Sequence, residues 1–295
     1  MKKKVSIGIL TYNHEQFIAQ CLESCLDLKY QNLQIIISDD ASKDRTVEVV
    51  TEILKNVTSK HEIIFIKNPN NLGLAGNFNK LFYETADGDF LITLGGDDII
   101  AYDYIQEALD NFFKYPEAVM IDFNATVIDQ NNNVISNHEQ LDFSKKFYSL
   151  NDYIHLNTIK SFAPARIFKK DLISSFMPIS HNCPTEDTVL VLRAVLVGKL
   201  LRINKRVVLY RKHLGNISNV SNMKKISHFK TIAQYIRDVM YWHEKDLLSE
   251  DLIKKLFVRF NFEYKRRQLA YSSLPSKLKV LIMKLNKIVY KIQHK

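Results

Sequence analysis

Apolar and polar residues alternate along the first 124 positions in two rhythms. Short apolar runs fit strands, and segments with apolar residues three and four apart fit helices. Residues 4–10 read as a strand, and residues 15–28 carry Phe17, Ile18, Cys21, Leu22, Cys25 and Leu26 at helical spacing. Residues 33–38, LQIIIS, predict a buried strand rich in β-branched side chains. Asp44 is placed to cap a helix with Val47, Val50, Leu54 and Val57 inward. A third strand is predicted over 63–66 and a short helix over 77–85, with Phe78, Leu81 and Phe82 inward. A fourth strand follows over 90–94, then a helix over 102–115 burying Ile105, Leu109, Phe112 and Phe113, then a fifth strand over 118–123. Strands alternating with helices define βαβ units and a mostly parallel sheet. Beyond Asn124 the pattern loosens. Residues 129–137 are a polar turn cluster, 189–201 a buried helix, 207–210 a short strand, and from about 226 onward the chain reads as helical.

Polar clusters fall at the ends of these strands. Thr11-Tyr12-Asn13 follows the first, Asp39-Asp40 the second, residues 68–77 (NPNNLGLAGN) the third, and Gly95-Gly96-Asp97-Asp98 the fourth. Open α/β sheets bind ligands in the crevice outside the carboxyl ends of their strands. Adjacent carboxylates at Asp97-Asp98 repel each other, and a hard cation such as Mg²⁺ or Mn²⁺ relieves that repulsion while sharing substrate phosphates. Tyr12 offers an aromatic face for a base, and Asp40 an acceptor for a base or ribose donor. Gly95-Gly96 lets the backbone approach a ligand closely. Paired aspartates can also merely start turns, but two such pairs at strand ends favour a site. No GxGxxG or GxxxxGK[ST] follows the first strand, which argues against a dinucleotide site and a P-loop.

Composition narrows the class. At 295 residues the chain is long enough for one large domain or two modest ones, and its 46% apolar and 25% charged residues are those of a globular protein. No apolar run reaches the length of a membrane span, and the basic start MKKK leads into too short an apolar stretch for a signal peptide. Cys21, Cys25 and Cys183 read as core thiols in a reducing cytoplasm. Charge is uneven. Residues 251–295 hold twelve basic residues against Asp251 and Glu263, a net +10, so the first 250 residues sum to −1 within the overall +9.

Taken together, VSIGILTYNHEQFIAQCLES, IIISDDASKDRT, NNLGLAGNFNK, DGDFLITLGGDD, PTEDTVLVLRA and YRKHLGNIS resemble the inverting glycosyltransferases of family two. The resemblance runs from residue 5 to about 218. It implies the GT-A fold: α/β, Rossmann-like, with a mostly parallel central sheet flanked by helices. It implies that Tyr12 stacks on the nucleobase beside Thr11 and Asn13, that Asp40 bonds the base, and that Gly73 and Asp97 also line the nucleotide site. Asp97, Asp98 and His213 would hold Mn²⁺ or Mg²⁺. Asp187 would be the catalytic base, with Glu186 beside it. The Arg that relatives often carry in the glycine-rich segment is absent, since GLAGNFN stands there. The QxxRW motif of processive polymerases is also absent, which argues for transfer of a single sugar. The expected reaction moves one sugar from a nucleotide-diphosphate donor, UDP being the commonest carrier, to a saccharide acceptor, lipid-linked in many relatives that build cell-surface polysaccharide. A non-catalytic sugar-nucleotide-binding scaffold and a nucleotidyltransferase of related fold are the alternatives.

The resemblance also divides the chain. Residues 1–225 form the catalytic domain, with a nucleotide-sugar half over 1–124 and an acceptor half over 125–225. Residues 226–295 form a helical extension. Within it, 276–293 predicts a basic amphipathic helix with Leu278, Leu281, Ile282, Leu285, Ile288, Val289 and Ile292 in one stripe. Such a helix can lie on an anionic membrane, here the inner face of the cytoplasmic membrane, or pack on its own domain or in a homodimer. No nucleic-acid module is evident.

Overall fold

The computed structural model describes residues 2–136, 141–155, 159–216 and 219–293. The first half runs β1 (Val5–Thr11), α1 (Ile18–Leu26), β2 (Leu33–Asp39), α2 (Thr46–Asn56), β3 (Glu62–Lys67), α3 (Gly73–Asn79), β4 (Phe90–Gly95), β5 (Ile99–Ile100), α4 (Tyr104–Lys114) and β6 (Ala118–Ile128). The second half runs β7 (Val134–Ser136), β8 (Phe147–Tyr148), α5 (Leu150–His155), β9 (Arg166–Lys169), α6 (Asp171–Ser174), α7 (Glu186–Val197) and β10 (Lys199–Arg211). Four helices close the chain: α8 (Val220–Met223), α9 (His228–His243), α10 (Glu250–Tyr271) and α11 (Ser276–Gln293).

One sheet organises the molecule, in the order β3-β2-β1-β4-β9-β6-β10-β5. β3, β2, β1 and β4 are mutually parallel, as are β6 and β10. The short β9 runs antiparallel to both β4 and β6 and joins the two parallel groups. Helices cover both faces, so the central strands are apolar almost throughout. β2 shows how: Leu33, Ile35 and Ile37 enter the cluster shared with α1, α2 and α4, while Ile36 enters the cluster shared with α3, α7, α9 and α10. All three cysteines are free and buried. No helix among the described residues is long and apolar enough to cross a membrane.

The departures from the sequence pattern have local causes. Phe113, expected inward, is 91% exposed. At 3.6 residues per turn it lies roughly 80° round from Ile105, at the rim of the apolar stripe. Helix α3 starts at Gly73 rather than at 77 and runs on as a π-helical turn over Lys80–Thr85. Its early start depends on a cap supplied from far along the chain, described below. Helix α7 stops at Val197 and β10 begins at Lys199, so the strand takes residues expected at the helix end. Gly198 divides them, where a Cβ would come within 2.8 Å of Val119 and 3.0 Å of the Glu117 carbonyl.

Candidate active site

Strand order brings the polar clusters together. The register sets Thr11 against Asp39 and Leu10 against Gly95, so β1, β2 and β4 end at one edge. Thr11 is buried, while Tyr12 is 42% exposed and keeps a ring face open to a ligand. Asn13 adopts a left-handed conformation with φ of 56°, which Asn tolerates better than most residues. Its Oδ1 accepts from the Lys43 amide at 2.7 Å and its own amide donates to Ser42 Oγ at 2.8 Å. Asn13 therefore clasps two loops of the edge to each other.

Asp40 is buried, and its carboxylate accepts the amides of Leu72 at 2.7 Å and Gly73 at 3.0 Å. This is the cap that starts α3 early. Burial raises the Asp40 pKa against the pull of those two amides. Gly73 has φ of +72°, a conformation that favours glycine. Asp40 and Gly73 thus bond each other and form one wall of the crevice.

Asp97 and Asp98 follow β4 in a turn closed by the Asp98 amide donating to the Gly95 carbonyl at 3.1 Å. Their carboxylates point different ways. Asp98 is 2% exposed, and its Oδ1 accepts the Arg211 amide at 2.9 Å. Burial and the neighbouring Asp97 charge push its pKa well up. Asp97 Oδ2 accepts from His213 Nε2 at 3.0 Å and from Asn216 Nδ2 at 3.1 Å. Burial opposes ionisation of Asp97, but the His213 bond and the His14 ring hold its pKa below the usual value. The two carboxyls are thus drawn in opposite directions, Asp98 toward its neutral acid and Asp97 toward its carboxylate.

His14 completes this corner. Ligand atoms of His14, Asp97 and His213 all lie within 4.8 Å of one another. Among the described residues the group placed to share a cation is His14, Asp97 and His213, whereas the Asp98 carboxylate, expected among the metal ligands, is buried against the Arg211 amide. Gly95 and Gly96 serve this packing. A Cβ on Gly96 would lie 2.8 Å from both His14 Nδ1 and Thr11 Oγ1, and one on Gly95 would lie 2.5 Å from Asp97 Oδ1.

Arg211 braces the corner and was not singled out by the sequence. Its guanidinium is fully buried, stacks 4.9 Å from the Phe17 ring centroid, and donates to the Asp97 carbonyl at 2.8 Å and Gln20 Oε1 at 2.8 Å. β5 follows Asp98 directly and pairs with β10 through Ile99 and Ile100, so strand pairing and Arg211 fix the turn together.

The acidic pair Glu186-Asp187 opens α7. Asp187 is half-buried and Glu186 buried. Arg166, also not singled out, ties them to the sheet. Its guanidinium is fully buried, grips Asp122 through Nε at 2.7 Å and Nη2 at 3.0 Å, and donates from Nη1 to the Asp187 carbonyl at 2.7 Å. Arg166 pairs with Thr93 across β9 and β4, two residues before the end of β4. The helix N-terminus bearing Asp187 is thereby anchored to the same edge as Asp97. Glu186 Oε2 is buried with no hydrogen-bond partner among the described residues. Burial, then the Asp187 charge, pushes its pKa up to about 8. An Arg at the end of an apolar strand run, as in RIFK and VVLYR, is the sequence signal for both arginines, because such a charge is buried only with partners.

The parallel sheet with its ligand edge, acidic strand-end turn and histidine-bearing loop is the architecture of GT-A enzymes that handle nucleotide sugars. Residues 6–175 match the model of glycosyl transferase family 2, so the chain belongs to that family of glycosyltransferases. It is 34% identical over 131 residues to an uncharacterized glycosyltransferase of Haemophilus influenzae, a match spanning 44% of this chain and half of that protein's length. The fold is similar to that of S. aureus TarS 1-349 in complex with UDP-GlcNAc, at a TM-score of 0.59 and 18% identity over 91% of this chain and 73% of the other. It is also similar to mannosyltransferase PcManGT from Pyrobaculum calidifontis in complex with GDP-Man and Mn²⁺, at a TM-score of 0.57 and 11% identity over 99% and 87% of the two chains.

Proposed function

We propose that this chain transfers one sugar, with inversion, from a UDP-sugar to a hydroxyl of a saccharide acceptor, with Asp187 as the base. The observation that carries the reading is that one sheet edge holds both the Asp97 corner and the anchored N-terminus of α7 bearing Asp187. Tyr12 presents its ring to the nucleobase, with Thr11, Asn13, the Asp40–Gly73 wall and Asp97 framing the rest of the donor. Residues 1–124 form the donor half and 125–225 the acceptor half, and the helices of 226–295 close the acceptor side. UDP is favoured because one structural neighbour carries UDP-GlcNAc; the other carries a guanosine donor, so the test includes both.

His14, Asp97 and His213 offer two imidazoles and one carboxylate, a set that suits Mn²⁺ better than Mg²⁺, which prefers oxygen ligands. When bound, the cation supplies positive charge against the diphosphate that leaves. Asp187 takes the proton of the acceptor hydroxyl as that oxygen attacks the anomeric carbon from the side opposite the diphosphate. Glu186, neutral at pH 7, keeps a second negative charge away from Asp187. Family membership and the clustered site favour an enzyme over a scaffold protein.

Helix α11 supports a peripheral membrane contact, which would place a lipid-linked acceptor within reach at the inner membrane face. Leu281, Leu285, Ile288 and Val289 are each more than half exposed, and lysines flank them.

Melting temperatures with UDP, GDP, CDP and dTDP, each with and without Mn²⁺, test the donor site on wild type and Asp97→Ala. A ligand that binds only the folded chain raises the melting point, by about 2.7 kcal/mol of stability at a hundredfold excess over Kd. The expected result is a Mn²⁺-dependent rise with UDP that Asp97→Ala abolishes. If none of the four nucleotides raises the melting temperature, the proposal is removed.

A further inference from the structure

A cavity of about 220 Å³ opens beside the N-terminal turn of α7, lined among others by Thr188, Lys160, Arg259, Glu263, Arg266 and Arg267. A single water needs only about 10–15 Å³ on that measure, so there is room for a substantial group. Thr188 is the residue after Asp187. Ser161, also on the wall, accepts from Arg166 Nη2 at 3.0 Å, and the same guanidinium holds the Asp187 carbonyl. The cavity therefore lies next to the carboxylate that meets the acceptor. None of its walls comes from the loops of the donor edge.

Its charge is unbalanced. Three guanidiniums and Lys160 face one carboxylate, Glu263. Arg259 Nη1, Arg266 Nη2 and Arg267 Nε all donate to Glu263, at 3.2, 2.6 and 2.8 Å. Burial opposes the Glu263 charge, but the three arginines hold its carboxyl well below the usual range. Each guanidinium engages two of its nitrogens. Arg259 adds Nε to the Tyr153 carbonyl, Arg266 adds Nε to Glu263, and Arg267 adds Nη2 to the Tyr235 hydroxyl. The third nitrogen of each makes no hydrogen bond to another described residue, and all three arginines line the cavity. Arg259 and Arg267 are themselves at least nine-tenths buried. Uncompensated positive charge in such a place is costly, and an anion with several oxygens relieves it.

We infer that this cavity takes a phosphate group carried by the acceptor, so that the hydroxyl facing Asp187 belongs to a phosphate-bearing saccharide. The inference rests on the proposed role of Asp187. The lining carries four cationic side chains against Glu263, and with the nearby Asp187 carboxylate counted the excess is two positive charges, enough for a phosphate dianion, whose oxygens the planar forks of arginine match.

Calorimetric titration of the full chain without metal tests this, with glucose 1-phosphate, glucuronate and glucose as probes. Short-chain phosphatidic acid, below its micelle concentration, is run beside them to tell a lipid-borne from a sugar-borne phosphate. Wild type should bind a phosphate probe and neither glucuronate nor glucose. Lys160→Gln combined with Arg266→Gln should weaken that binding at least tenfold. Lys160 is exposed and Arg266 a quarter exposed, so the pair should still melt cooperatively and bind UDP with Mn²⁺ as wild type does. If the double variant loses its fold, Lys160→Gln alone should still weaken phosphate binding measurably. Asp97→Ala should show the reverse, with UDP binding lost and phosphate binding kept. Failure of wild type to bind any phosphate probe, equal binding of glucuronate, or phosphate binding untouched by the variants overturns the inference. Loss of UDP binding by wild type with phosphate binding intact would instead strike at the donor reading alone.

Discussion

Asp187 and Asp97 are both held in place by residues distant in the chain. Asp187 stands at the first turn of α7, and its backbone is held by a buried guanidinium that also grips Asp122. Asp187→Asn keeps size and shape but removes the proton acceptor. The expected outcome is transfer reduced by about 10²–10⁴-fold with the donor Kd changed less than about twofold, read by initial rates and by UDP titration. Loss of donor binding, or retained turnover, would take the base role from Asp187. At this scale the sequence placed polar residues at the strand ends but did not show what each one touches. Asp98 and Asp97 are adjacent and chemically alike, yet one is bonded to a strand amide and the other faces two histidines. Only the path of β10 distinguishes them. His14 carried no signal of its own, because its partners lie 83 and 199 positions away.

Among the elements, the strands of the first half were legible because each is a short apolar run bounded by turn residues. Their register followed once the order was known. Helix α3 begins before its apolar periodicity does because its cap comes from Asp40, far earlier in the chain. β9 shows no strand signal in the sequence because four residues, RIFK, are too few for a periodicity. Helix α11 was legible as amphipathic, but its mode of docking was not. It touches the body through Tyr290, whose ring lies 4.6 Å from that of Phe262 and whose hydroxyl donates to the Ile154 carbonyl. Leu278, Leu281, Leu285, Ile288 and Val289 remain exposed. Sedimentation with vesicles rich in anionic lipid should carry down the full chain and leave a form truncated before residue 276 in solution. The bound fraction should fall as salt rises, since part of the attraction is screened. Equal sedimentation of both forms would remove the membrane contact.

For the molecule as a whole, the buried Glu186 couples the site to global stability. Its pKa is about 8 in the fold against an ordinary 4.5, so between those values the folded chain holds a proton that the unfolded chain has lost. Stability from this group is complete below about pH 4.5, falls as pH rises toward 8, and is gone above it, at up to about 1.4 kcal/mol per pH unit. The groups that set this are the apolar burial, the Asp187 charge and the opposing Arg166. Glu186→Gln replaces the neutral acid with a neutral amide. Its urea midpoint should exceed that of wild type at pH 8 and fall less steeply between pH 5 and 8. Parallel slopes in the two proteins would mean that Glu186 is not neutral in the fold.

Hydrophobic periodicity, by itself, determined the alternation of strands and helices, the burial of the central strands and the placing of polar clusters at strand ends. Those are local properties, set by side-chain spacing within a few residues. Tertiary structure alone decided that β9 enters antiparallel between β4 and β6, that Arg166 and Arg211 brace the two halves of the site, that His14 rather than Asp98 joins Asp97 and His213, and that the cavity lined by three arginines and one glutamate of α10 opens beside the first turn of α7. Each of these is a contact between residues distant in the chain. Its energy depends on burial and on which partner arrives, and neither is written in local spacing.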